Sequence, residues 1–367
     1  MRAPQAFIIP VLVAFIAFSG ATTPSAQDTK RNVNGTIWVA NRGNSTIRGF
    51  DARDGEPLPP VPMRAGSQPG DLAYANGKLY VAEERATPPA IAIVNPASGD
   101  VIKYLMFENG ARPHHVHASA SGELVAVGLY GTDRVAVVET ENDTLLGAWH
   151  DPSGPAARVH AGVFSQDGET LYILNDATGK LTALASRTGA VLWSMDIPGA
   201  HEMIVTHNNK IAFVSRRPFN RLARVDLEEC RHLETCSYKD VLEIGLPDTL
   251  DMSANEEFLT LGLRTSPARM AVVETDALLV DSDALLNAGS DGVTVVDLAP
   301  AAWGPTTGGH QWTTPNGQYT FASYEGTTSD SAPRAGLAVI DHRAGNQIVQ
   351  RLSYPGAPHG VTHVPPQ

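Results

Sequence analysis

One motif recurs along this chain about every 45 residues, and a recurrence on that scale admits few folds. Each copy has a start element, five or six strand-forming residues, a turn and a second strand. The copies are QPGDLAYANGKLYVAEE from Gln68, PHHVHASASGELVAVGL from Pro113 and VHAGVFSQDGETLYILN from Val159. They continue with AHEMIVTHNNKIAFVSRR from Ala200, PDTLDMSANEEFLTLGLR from Pro247 and GHQWTTPNGQYTFASYE from Gly309. A seventh is split, with PHGVTHV from Pro358 near the end and GTIWVANR from Gly35 near the start. With the first copy counted from Pro69, the second residues of the copies stand at 70, 114, 160, 201, 248, 310 and 359, giving gaps of 44, 46, 41, 47, 62 and 49. The long gap holds an insertion around Asp281 to Asn287 (DSDALLN).

A third strand follows each pair, as at Ala90–Val94, Arg134–Val138, Arg269–Val273 and Gly336–Ile340, and then a fourth. Short strands punctuated by Gly, Pro, Asn and Asp, with almost no helix-period pattern, predict an all-β chain. Seven copies of four strands predict a single domain over 27–367, a seven-bladed β-propeller whose closure leaves few sheet edges exposed. The split copy predicts that Gly360–Val364 is the inner strand of the blade begun by Thr36–Asn41.

Residues 1–26 stand apart from this pattern. Arg2, the apolar run Phe7–Phe18 and the small residues Ser19-Gly20-Ala21 and Pro24-Ser25-Ala26 predict a secretory signal peptide cut after Ala21 or Ala26. The alternative is an uncleaved anchor, for which about 12 apolar residues are short. The signal implies a periplasmic or secreted protein with no membrane span after cleavage. In such a compartment Cys230 and Cys236, the only two cysteines, are expected to form one short-loop disulfide. A metal role for them is less favoured, because His232 is the one nearby imidazole.

Composition excludes several classes. With 43% hydrophobic and 18% charged residues the chain is globular. Lys+Arg 27 against Asp+Glu 39 gives a net charge of −12, which disfavours nucleic acid as a partner. Two cysteines exclude a disulfide scaffold, an iron–sulfur protein and a cysteine zinc module. G-x-S-x-G, H-E-x-x-H and a Walker loop are absent from the sequence.

One column of the repeat carries imidazole. The second residues are Gly70, His114, His160, His201, Asp248, His310 and His359, and His115 directly follows His114. A chain with only 12 His thus places five in seven equivalent slots. In a propeller this position opens the innermost strand at one mouth of the channel, so the six imidazoles are expected to converge on the axis. Packed neutral imidazoles gain little from one another and their protonated forms repel, whereas a shared metal ion requires such convergence. The alternative is a ring binding an anion through His⁺ and Arg. An imidazole shell without thiolate suits copper, zinc, iron or nickel, copper first, and argues against calcium or magnesium.

Asp248 is a candidate further ligand or a carboxylate that orients an imidazole. His117 and His363 are candidates to face the channel behind His115 and His359, with blade packing as the alternative for each. His150, His207, His232 and His342 are expected to be solvated. The turns after the second strands carry Arg42, Arg85, Arg216, Arg217 and Arg264, which predict a positive mouth for a small anionic or electron-rich ligand. Tyr130, Asp176, Tyr324 and Glu325 are expected elsewhere around the ring.

The repeat P-x-x-V-x-x-S-x-D-G-x-x-L-Y-V resembles that of YVTN-type, lactonase-like β-propellers over essentially all of 27–367. That scaffold hosts enzymes, electron-transfer proteins and binding modules alike. The His114–His115 pair with single His160, His201, His310 and His359 also resembles the catalytic propeller of nitrous oxide reductase, which implies a multinuclear copper centre on the axis. The departures are Asp248 in the fifth copy and the lack of a cupredoxin region with paired cysteines. A looser resemblance, on axial His alone, is to copper-dependent methanethiol oxidase-like propellers. Two function classes remain: a metal-dependent oxidoreductase with a redox partner, or a non-catalytic metal- or partner-binding propeller. A lactonase-like hydrolase is third.

Overall fold

A computed structural model describes residues 30–366 apart from 155–157, 232–234, 281–283, 304 and 327–333. Residues 1–26, where a signal peptide is expected, His232 and the start of the DSDALLN insertion therefore lie outside the described residues. The rest folds as a seven-bladed β-propeller of antiparallel four-stranded blades. Blades are numbered here in chain order from the one begun by Thr36–Asn41. The innermost strands of blades two to seven are β1 (Pro69–Ala75), β2 (Pro113–Ala118), β3 (Val159–Phe164), β4 (Ala200–Val205), β5 (Pro247–Met252) and β6 (Thr306–Thr313). Blade one takes its inner strand from the other end of the chain, as β7 (Pro358–Val364) pairs antiparallel with Thr36–Asn41.

Burial follows position in the blade. Second and third strands such as Leu124–Leu129 and Ala90–Val94 are buried throughout, because both faces pack on neighbouring blades. Outermost strands such as Val101–Met106 are largely exposed. The apolar interior accordingly divides into seven cores, one between each pair of neighbours. The core joining blades seven and one contains Ile37, Phe321 and Val361 together, so the ring is closed by packing as well as by hydrogen bonds. Among the described residues no helix is long and apolar enough to cross a membrane.

The predicted insertion extends the neighbouring blade. After Arg269–Glu274 the chain makes a short helix, Thr275–Leu279, and Leu286–Asn287 then pairs in parallel with Tyr238–Glu243 as a fifth strand of blade five. It returns as Val293–Asp297 to finish blade six. Cys230 and Cys236 are disulfide-bonded in blade five. Cys230 is fully buried, and the Met195 thioether lies 3.3 Å from the Cys236 sulfur. The expectation that His342 is solvated is corrected. Its ring is buried against Phe258 and hydrogen-bonded to Thr320 and Asn346, because the turn after the third strand of blade seven folds back on blade six. His150 and His207 are open to solvent, with side chains 61% and 43% exposed.

Candidate metal centre

The ladder breaks at one place in all seven inner strands, and that place is the histidine column. Pairing with the second strand jumps across His160 in β3 and His201 in β4. It jumps across Gly70–Asp71, His114–His115, Asp248–Thr249, Gly309–His310 and His359–Gly360 in the other five. A β-bulge bends its strand and re-aims the side chains at the break. Left-handed backbone at Gln68, Arg112 and Leu246, each just ahead of a proline that begins the strand, sets the approach in three blades. Small residues opposite the bulges let the next blade come close: a Cβ on Gly128 would meet the His160 carbonyl oxygen.

These bulges gather the six predicted histidines around one cleft of about 350 Å³ at the channel mouth. The rings form an arc. His201 and His160 are 3.9 Å apart between centroids, His160 and His115 4.3 Å, His115 and His310 4.7 Å, and His310 and His359 4.6 Å. His114 stands above His115 and His160 at 4.5 and 4.9 Å. Blade two offers Gly70 instead of an imidazole, and the Arg42 guanidinium lies against it.

Carboxylates complete the cluster. Glu84 is hydrogen-bonded to His114 Nδ1, and Asp248 lies 2.9 Å from His201 Nε2, the orienting role open to it from the sequence. Deeper in the channel, Asp71 stands 3.4 Å from His115 and 3.5 Å from His310. Glu202 stands between His115, His160 and His117. His117 does face the channel, its ring stacked 6.3 Å from that of His115. Among the described residues three sets of donor atoms are compact enough to share an ion: His114, His115 and His160; Asp71, His115 and His310; and His115, His117 and Glu202.

His363 takes the blade-packing alternative. The register break at His359–Gly360 shifts the alternation of β7, so His363 turns into the interface with blade seven. There it stacks on Trp312 at 4.3 Å and its Nε2 donates to the Asn34 carbonyl. Arg216 is a correction. It ends its strand pointing outward between Phe219 and Tyr238, with Nη1 2.6 Å from Asp240, while the next residue, Arg217, reaches the mouth. Tyr324 is packed in the core between blades six and seven, away from the ring. Arg42, Arg85, Arg217 and Arg264 line the cleft, with Arg112, which the sequence reading missed. The mouth is less positive than the arginines alone suggest. Asp248 pairs with Arg217 at 2.5 Å, and Glu84 and Glu325 lie about 4 Å from Arg42, with Arg264 equally near Glu325.

Electrostatics favour the ligating form of most rings. Burial pushes His115, His160 and His359 well below the ordinary imidazole value, and neighbouring imidazoles or arginines push the same way. Burial lowers His310 too, against the pull of Asp71 and Glu202. Burial works against His117 as well, but Glu202 outweighs it and raises that ring. Burial would raise the Glu202 carboxyl, yet His115 and His117 hold it down to about 2. Asp248 is held low in the same way by His201, Arg217 and Arg264.

Glu202 and Asp71 occupy the slot after the histidine column, level with His115. Reading that third column (Asp71, His115, Glu202) beside the second would have found them.

The comparisons agree on architecture. The PQQ_2 family model, described as outer membrane protein assembly factor BamB, matches residues 43–203, under half of the chain. No curated protein matches the sequence. Among solved structures the chain is similar to Kuenenia stuttgartiensis hydrazine synthase, at 16% identity over 88% of this chain and 99% of that one, TM-score 0.66. It is similar to the Pseudomonas aeruginosa periplasmic gluconolactonase, at 16% over 90% and 99%, TM-score 0.61. A Lactobacillus plantarum protein matches at 13% over 90% and 100%, TM-score 0.64. At these identities the likeness is one of fold, and the chain is a seven-bladed β-propeller with lactonase-like structural neighbours and a histidine cluster near its axis.

Proposed function

We propose that this protein is an exported propeller that binds a transition-metal ion through His114, His115, His160, His201, His310 and His359. One observation carries the reading. Ring nitrogens of His115, His160, His310 and His359 are buried without a hydrogen-bond partner, and leaving a buried polar atom unpaired costs about 1–3 kcal/mol. Four such atoms around one cleft are donors that a shared ion would satisfy. Glu84 and Asp248 hold His114 and His201 in place. Cu(II) or Zn(II) matches the nitrogen-and-carboxylate set, copper being favoured by the imidazole-rich shell, and the candidate donor sets contain no cysteine. Bound copper would supply one-electron chemistry and bound zinc Lewis acidity. The rim, with five arginines against Glu84, Asp248 and Glu325, suits a small anionic ligand above the ion. The disulfide and the apolar leader support a periplasmic or secreted location.

Metal analysis of natively loaded protein tests this. At least one equivalent is expected, lost in the His115→Ala/His310→Ala double variant while the far-ultraviolet spectrum is unchanged. Retention of stoichiometric metal by that variant overturns the axial site and leaves the partner-binding reading. A visible band bleached by ascorbate supports the oxidoreductase over the non-catalytic binder. The lactonase-like alternative has only the shared fold behind it.

A further inference from the structure

Below the mouth the channel contains donor atoms that the six-histidine site does not use. Glu202 is 2% exposed, and neither of its carboxylate oxygens has a hydrogen-bond partner. Its Oε1 lies 3.3 Å from His117 Nε2, and its Oε2 lies 3.6 Å from His115 Nε2 and 3.7 Å from His160 Nδ1. His117 Nε2 and His160 Nδ1 are likewise buried and face Glu202 without a hydrogen bond. Donors that share a tetrahedral ion at about 2.0–2.2 Å stand ~3.3–3.6 Å from one another, close to the separations found here. The backbone around them is fixed. The Glu202 N–H donates to Ser215 Oγ, whose hydroxyl donates to the Asp248 carbonyl, and Asp71 Oδ2 accepts the Val116 N–H beneath His115.

We propose a second cation position one step down the axis, anchored by Glu202 and His117 and completed by a nitrogen of His115. A carboxylate with imidazoles selects a divalent ion of the Zn(II) type rather than Cu(I). The two positions share His115, so an ion at the mouth and an ion inside are neighbours along one channel. The inference rests on the mouth being metal-binding, and the test separates the two.

Equilibrium dialysis of the full chain against Zn(II), with metal and protein counted, is the experiment. Wild type is expected to hold two equivalents. Glu202→Gln and His117→Ala are each expected to hold one, and His310→Ala, altered only at the mouth, to keep the inner one. If Glu202→Gln does not fold, His117→Ala decides, since that side chain is 31% exposed. One equivalent in wild type, kept by His117→Ala and lost in His310→Ala, overturns the second position and leaves the mouth site standing. Two equivalents unchanged in both Glu202→Gln and His117→Ala overturn the assignment of these residues. No Zn(II) in wild type overturns both.

Discussion

At the scale of single residues the cluster sets a conflict between burial and charge. In the metal-free protein His115, His160, His310 and His359 have folded-state pKa values below the one near 6.5 expected in the unfolded chain. The unfolded chain therefore takes up more protons as pH falls through about 6.5, and these four groups make the fold less stable on the acid side. His117 acts in the opposite sense: raised by Glu202, it contributes stability present below about 6.5 and lost as pH rises through its folded value. Asp251, pushed up to about 6 by burial, also favours the folded state on the acid side. His359→Gln removes one lowered imidazole, so its urea midpoint should drop less than that of wild type between about pH 7.5 and 5.5. An equal drop would mean that His359 titrates as it does in the unfolded chain, and a larger one that folding raises its value. Residue type was legible early: five His in one repeat column announced convergence. Glu202 and Asp71 were legible only as two acids in the column after the histidines, a signal without meaning until the neighbouring blades bring imidazoles to them.

At the scale of the strand, function depends on the bulge. A regular ladder alternates its side chains between faces, and would not turn both His114 and His115 toward the cleft. The break in β2 does so, and the break in β7 sends His363 the other way, into Trp312. The residues opposite the breaks must be small for the next blade to approach. Gly128→Ala would drive a methyl group into the His160 carbonyl and should destabilise the protein by about 1–3 kcal/mol, by urea unfolding. It should also weaken metal retention by displacing His160. A variant with wild-type stability would show that β3 can recede without cost. Repeat spacing located each inner strand to within three residues, but a bulge leaves no mark in composition, so the facing of His363 could not be read.

At the scale of the whole molecule the ring is fastened by β7, which supplies both the seam of blade one and His359. A chain ending at residue 357 should lose cooperative thermal melting as well as metal, because two apolar cores lose Val361 and Val364 and Thr36–Asn41 loses its partner. Cooperative melting at the wild-type temperature would contradict closure by this strand. The period of the repeat, the split seventh copy and the histidine column determined by themselves that the chain makes seven blades, closes on its own ends and gathers imidazoles at one mouth. Such features recur at fixed intervals, and a closed ring turns equal intervals into equivalent places. Only the tertiary structure decided which carboxylates pair with the arginines, that Glu202 lies beneath the ring, and which side chains the bulges turn inward. Those outcomes depend on contacts between blades about 45 residues or more apart, at positions the repeat does not constrain.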